Sequence, residues 1–127
     1  MKLLKTVLMF AITITTILNI TGCTPNKQVE YPAFSVVDNN ELGCVELNHD
    51  GIIYRPFGVL DSKLRGTQIG VRENEPDSKI CEVKGYDSAE WIVEYLDVIM
   101  GGGDMIFKAV GVTEIPKELE VCREYDY

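Results

Sequence analysis

The sequence predicts a mainly β fold: a small antiparallel sheet or barrel of hairpins with at most one short helix (α+β). Two observations predict it. From Val36 onward, short runs rich in β-branched and aromatic residues alternate with clusters of turn-forming residues, as in strands joined by tight turns. One of these turns ends in Asp50-Gly51, a pair that favours a β-hairpin. Four or more short strands connected in this way curl into a barrel or pack one helix.

The first predicted hairpin joins residues 44–47 to residues 52–55. Both runs are β-rich, and Asp50 and Gly51 between them tolerate the positive φ angles that hairpin turns require. Pro56 follows the second run. Because proline has no backbone N–H to donate, we expect this strand to end there or to lie at a sheet edge.

A second hairpin is predicted from the next part of the chain. Residues 58–66 form a connection bounded by glycines, and residues 67–72 are a strand. Residues 73–78 are rich in Asn, Asp, Pro and Ser, which indicates a turn. Residues 79–84 resume the β pattern and complete the hairpin.

Residues 88–99 allow two interpretations. Asp87 and Glu90 resemble a capping box, and apolar residues follow at helical spacing, which predicts a short amphipathic helix. Trp, Ile, Val and Tyr nevertheless favour strands, so a helical turn at residues 88–90 that leads into a buried strand is the alternative. Beyond this segment we expect a loop at residues 101–104, a strand at residues 105–112 and one helical turn at residues 116–120.

The first part of the chain predicts export. Lys2 and Lys5 precede a mostly apolar run at residues 7–20, which is shorter than the roughly twenty apolar residues that span a bilayer. A cationic start, a short apolar run and small residues at its end are typical of a signal peptide. The β fold is therefore expected to follow an N-terminal signal peptide helix.

The end of this leader, Ile20-Thr21-Gly22-Cys23, resembles the lipobox of bacterial lipoproteins. The resemblance implies that the Cys23 thiol carries a diacylglycerol and that the chain is cut before it. Residues 1–22 are then the signal peptide, residues 23–35 the lipidated cysteine with a tether, and residues 36–127 a single small globular domain. The partner implied is the cell membrane, held through the lipid on Cys23 at the extracytoplasmic face. An ordinary cleaved signal peptide with a chance cysteine is the alternative.

Size and charge restrict the function. Removal of residues 1–22 from the 127-residue chain leaves 105, which is enough for one small domain. The chain has twelve Lys plus Arg against twenty Asp plus Glu, and loss of Lys2 and Lys5 changes the formal net charge from −8 to −10. Nucleic acid and anionic lipid both select a basic face, so we expect neither to be bound electrostatically.

Three cysteines remain after the leader: Cys44, Cys81 and Cys122. Their wide separation excludes the close spacing of metal-binding cysteine pairs. An exported protein can oxidise one pair among them to a disulfide, and the sequence does not identify which. The alternative is that all three are free thiols that act as small apolar residues.

The sequence indicates no catalytic, cofactor-binding or metal-binding residues, and we expect the protein not to be an enzyme. The single histidine, His49, lies in a predicted turn and is interpreted as a solvated turn residue rather than a general base. Residues 38–41 offer oxygen ligands without the spacing of a calcium loop. Glu90, Glu94 and Asp97 would share one face if this segment were helical, where they are expected to be solvated.

Aromatic residues are the remaining candidates for recognition. With Arg55, Arg65 and Arg72 at its edge, a ring-lined groove would have the composition of a protein-binding hot spot. The favoured interpretation is that the rings build the core. The aromatic residues concerned are Tyr54, Phe57, Tyr86, Trp91, Tyr95 and Phe107.

The leading functional hypothesis is a small, non-catalytic binding or accessory module anchored to the membrane. In a sharper form, its acidic surface captures a basic exported protein. The alternatives are an extracytoplasmic hydrolase that uses carboxylates alone, with two acids about 5 to 9.5 Å apart in a concave pocket, and an envelope spacer or scaffold with a smooth acidic surface.

Overall fold

Seven β-strands close into a barrel in the computed structural model, which describes residues 29–96 and 103–127. Around the barrel the order is β1-β2-β3-β7-β6-β5-β4, and β1 closes the ring by pairing in parallel with β4. All other neighbours are antiparallel. The strands are β1 (Ala33–Asn39), β2 (Cys44–His49), β3 (Ile52–Val59), β4 (Arg65–Arg72), β5 (Glu75–Val83), β6 (Trp91–Leu96) and β7 (Asp104–Ala109).

Helical structure in the described residues is limited to a 3-10 turn at Ser62–Leu64 and one short helix, α1, at Lys117–Glu120. The predicted mainly β barrel with at most one short helix is therefore confirmed, as is the closing helical turn near the C-terminus. The signal peptide helix, Cys23 and residues 24–28 of the tether lie outside the described residues.

The folded domain begins earlier in the chain than the sequence predicts. Strand β1 begins at Ala33, whereas the sequence assigned residues 23–35 to the lipidated cysteine and tether. Phe34 is almost completely buried, with 1% of its surface exposed, because its ring packs inside the barrel. Residues 33–35 are thus part of the folded domain.

The β2–β3 hairpin is confirmed, and its turn has the expected geometry. Asp50 and Gly51 have φ angles of 49° and 78°. The first expectation for Pro56 was wrong, because β3 does not end there but continues to Val59 and pairs with β7. The pairing of β3 with β2 extends only over residues 52–54, so Pro56 lies beyond it. A bulge between Pro56 and Gly58 shifts the register with β7, and such irregularities accommodate a residue that cannot donate to the ladder.

The ambiguous segment after Asp87 is a turn followed by a buried strand, so the helix prediction is wrong where the chain is described. The amides of Glu90 and Trp91 donate to the Asp87 carbonyl, and the Asp87 side chain accepts from Ala89 N. From Trp91 the chain is extended and pairs with β5 and β7.

The second predicted hairpin is also confirmed. Its turn is at residues 73–74, and β5 begins earlier than predicted, at Glu75.

The sheet separates two apolar clusters. Neighbours in sequence such as Ile92 and Val93 belong to different clusters, because successive strand residues face opposite sides. The first cluster fills the barrel and draws on all seven strands. The second covers the outer face of β3, β5, β6 and β7 beneath the C-terminal segment, which contributes Leu119 and Cys122. This segment passes so close to β3 that a Cβ on Gly58 would clash with the Cys122 carbonyl oxygen.

Candidate functional site

Three segments far apart in sequence enclose a continuous groove at one opening of the barrel. We call it the mouth groove and define it by residues 49–53, 88–90 and 109–116. It consists of three concavities of about 240, 430 and 490 Å³. The first two share Ile52 and Ala89, and the last two share Glu90, Gly111 and Val112.

Backbone hydrogen bonds fix the three segments relative to one another. The amide of Val110 donates to the Ile53 carbonyl over 2.9 Å, and that of Ala109 donates to the Glu90 carbonyl over 2.8 Å. The Tyr54 hydroxyl donates to the Ser88 carbonyl over 2.7 Å, which ties the turn before β6 to β3. The turn at residues 88–90 and the start of the segment 109–116 are therefore hydrogen-bonded to the barrel strands.

The middle of the groove is mainly apolar. Ile52, Ala89 and Val112 line it, and the side chains of Ile53 and Val110 stand beside each other at 40% and 43% exposure. Exposed apolar side chains that are grouped in a concave surface are typical of sites that bind another molecule.

Acidic side chains stand along the edge of this apolar strip. Asp50, Glu90 and Glu114 line the concavities, and Asp87 immediately precedes the lining residues 88–90. Burial, with the charges of Asp87 and Asp50, raises the pKa of Tyr54. Among residues 29–96 and 103–127, Glu90 and Glu114 form no ion pair.

His49 lies in the smallest concavity, and its interpretation as a solvated turn residue is wrong. It is the last residue of β2, its side chain is 26% exposed, and its ring stacks on Phe34 with 4.2 Å between centroids. Its Nε2 lies 3.3 Å from Oδ2 of Asp50. The ring is half-buried because its position on β2 turns it toward the barrel interior.

The aromatic residues do not form the alternative ring-lined groove, and the core interpretation is confirmed for four of them. Tyr54 and Phe107 pack in the barrel, whereas Phe57 and Trp91 pack edge to face in the outer cluster at 5.0 Å. Tyr86 is half-buried and donates to Glu118.

The three candidate arginines are each paired with a buried carboxylate. Arg55 Nε lies 2.7 Å from Glu46, and Arg65 lies 2.6 Å from Asp104. Arg72 lies 3.3 Å from Glu94. Arg65 also stacks over the Tyr95 ring, 3.6 Å from its centroid. These guanidinium groups neutralise charges that the barrel buries, and they do not surround a common groove.

The pKa values of the paired carboxylates shift in different directions. The hydrogen bond from Arg55 lowers the pKa of Glu46, whereas burial raises the pKa of Glu94 despite Arg72. Glu94 is in the barrel wall, Glu90 is in the preceding turn, and Asp97 is outside the described residues. Glu90 and Glu94 therefore do not share a helical face.

Cys44, Cys81 and Cys122 are free and buried, which corresponds to the second of the two alternatives for the cysteines. Burial raises the pKa of each thiol, so each is held in its poorly nucleophilic form. Over the part of the chain that the structure describes, no group of three or more His, Cys, Asp or Glu residues is arranged to hold a metal ion.

Comparison with protein-family models, with curated proteins and with solved structures found no match. Among residues 29–96 and 103–127, no helix has the length and apolar character needed to cross a membrane.

The mouth groove is not predictable from the sequence, because Glu90 and Glu114 have no distinguishing spacing. The only local signals were the two turns that form its sides.

Proposed function

We propose that the protein is a membrane-anchored, extracytoplasmic binding module that acts without catalysis. The lipid on Cys23 would hold it at the membrane, and an exported protein with a basic surface would be its partner. The anchor rests on the resemblance of residues 20–23 to a lipobox. The observation that carries the binding role is the mouth groove, in which apolar side chains and acids lie together.

Two features favour binding over the spacer alternative. A spacer requires only a smooth polar surface, whereas Ile53 and Val110 are exposed side by side in a concavity. Glu90 lines the same concavity and Glu114 the adjoining one, and neither forms an ion pair among the described residues. A docked protein would cover the apolar strip and supply the missing positive charge.

A carboxylate hydrolase is the second candidate, and one observation favours it. Glu90 and Glu114 both line the 490 Å³ concavity, as a pair of catalytic acids would. The test is hydrolysis of a panel of aryl glycosides by the wild type, by Glu90→Gln and by Glu114→Gln. Turnover that both substitutions abolish would establish this candidate in place of the binding module, and absence of turnover on the panel would count against it.

The anchor is tested by labelling cells with palmitate and separating membrane from soluble fractions. We expect the wild type to take up label and sediment with membranes, whereas Cys23→Ser takes up none. An unlabelled wild type in the cytosol would contradict the proposal.

Binding is tested by co-purification from solubilised membranes at low and high salt. An exported basic partner that is retained at low salt and released at high salt is expected, because salt screens surface charges. No partner under either condition would contradict the binding role.

A further inference from the structure

The shape of the mouth groove restricts the kind of ligand that it can hold. The middle concavity shares lining residues with each of the other two, which share none with each other, so the three follow one another from residues 49–53 past residues 88–90 to residues 109–116. An elongated depression suits an extended stretch of chain better than a compact small molecule. Ile53 and Val110 lie near its middle and offer an apolar surface to such a stretch.

The charge of the groove restricts the side chains that a bound segment can carry. Asp50, Glu90 and Glu114 are exposed along the groove. The half-buried ammonium group of Lys108 donates to the carbonyls of Ala109 and Val112, over 3.4 and 2.9 Å. The edge of the groove is therefore negative, and complementarity requires positive charge in the partner.

The smallest concavity can accommodate a single side chain. It holds about 240 Å³ and is lined by Phe34, His49, Ile52 and Tyr54, with Asp50 at its edge. Apolar and aromatic walls next to a carboxylate suit a lysine or arginine side chain, because its carbon chain packs on the walls while its charge meets the acid.

We infer that the mouth groove binds an extended peptide segment of a partner protein in which basic and apolar side chains are interspersed. The inference rests on the proposed binding function and deepens it by naming the surface and the class of segment. Apolar side chains of the segment contact Ile53 and Val110, and its basic side chains meet Asp50, Glu90 and Glu114.

The test uses the full chain, purified from membranes with its native N-terminus and placed in phosphatidylcholine nanodiscs. The probe is a short fluorescent peptide of lysine, valine and glycine, and empty nanodiscs are the blank. A second peptide replaces lysine by glutamate, and a third replaces valine by serine. We expect the first peptide to bind, the second to show no binding, and the third to bind more weakly.

Two charge-matched double variants locate the site. Glu90→Lys with Glu114→Lys reverses the groove, whereas Glu41→Lys with Asp77→Lys reverses two exposed acids that do not line it. We expect the groove variant to weaken binding at least about tenfold and the control to change it less than about twofold. Urea unfolding of each variant checks that the fold is retained.

Several outcomes would overturn the inference. Equal weakening by the two double variants would mean that bulk charge, not the groove, attracts the peptide, and no weakening by either would exclude the groove. Self-association of the wild type that the groove variant abolishes would identify a second copy as the occupant. If the peptide does not bind the groove while an exported basic partner is still retained, this inference fails and the proposed function stands. If no partner is retained at all, the proposed function fails.

Discussion

Two sets of acidic residues in this barrel have opposite environments. Glu46, Glu94 and Asp104 are at most 7% exposed, and each is bonded to an arginine. Glu90 and Glu114 are exposed and form no ion pair among the described residues. The sequence shows the same residue types in both sets.

The difference separates charge that maintains the fold from charge that is available to a partner. A buried carboxylate is tolerated only with a counter-charge, so removal of either member of such a pair is costly. An exposed carboxylate contributes little to stability, because water solvates it. Substitutions in the first set should therefore reduce stability, and those in the second should reduce binding.

The largest stability effect is expected at Asp104. Asp104→Asn leaves Arg65 without its counter-charge, so the free energy of unfolding should fall by about 2 kcal/mol, less than for a fully buried pair because Arg65 is 28% exposed. Glu90→Gln, the matched neutralisation in the groove, should change it by less than about 0.5 kcal/mol. Urea unfolding followed by the fluorescence of Trp91, the single tryptophan, measures both. Equal losses in the two variants would eliminate the distinction between the sets.

The pH dependence of stability should differ in sign within the buried set. The pKa of Glu46 is lowered in the folded state, so its contribution is complete above the unfolded pKa of about 4.3 and is lost as the pH falls further. The pKa of Glu94 is raised, so the folded state holds its proton more tightly and its contribution declines as the pH rises above about 4.3.

These opposite signs are measurable with Glu46→Gln and Glu94→Gln. The stability difference between wild type and Glu46→Gln should widen as the pH rises toward about 4.3, the pKa of an unfolded glutamate. The difference between wild type and Glu94→Gln should narrow as the pH rises above about 4.3. Urea unfolding at several pH values provides both curves. Parallel curves would contradict the assignment of hydrogen bonding to Glu46 and burial to Glu94.

A smaller effect is expected at Tyr54, where the fold supports the groove. Tyr54→Phe removes the hydrogen bond to the Ser88 carbonyl and should lower the free energy of unfolding by about 1 kcal/mol. Because this bond holds the turn at residues 88–90, affinity for the lysine–valine–glycine peptide should also fall. The conservative Tyr86→Phe, outside the groove, serves as the control, and unchanged affinity in Tyr54→Phe would show that the bond does not position the groove.

Local structure was largely predictable from sequence. Asp50 and Gly51 determine the first hairpin through their own backbone preferences, and they adopt positive φ as expected. Residues 91–96 remained ambiguous because their apolar spacing fits a helix while their side chains favour a strand. Pairing with β5 and β7 resolves the conflict, and this pairing depends on distant residues.

The candidate site was not predictable, since it depends on contacts between distant parts of the chain. Arg65 and Asp104 are 39 positions apart, and only the closed barrel brings them to 2.6 Å. Without that register, the arginines could be interpreted as groove residues. Glu90 and Glu114 likewise line one concavity in the folded chain, where the amide of Ala109 donates to the Glu90 carbonyl.

The position of a bound peptide on the barrel tests the account most directly. Backbone amide NMR spectra of the full chain in nanodiscs would be recorded with and without the lysine–valine–glycine peptide. We predict that the largest shift changes fall on residues 49–53, 88–90 and 109–116. Changes centred on the Arg55–Glu46 or Arg65–Asp104 pairs, or no changes at all, would contradict the assignment of the mouth groove as the binding surface.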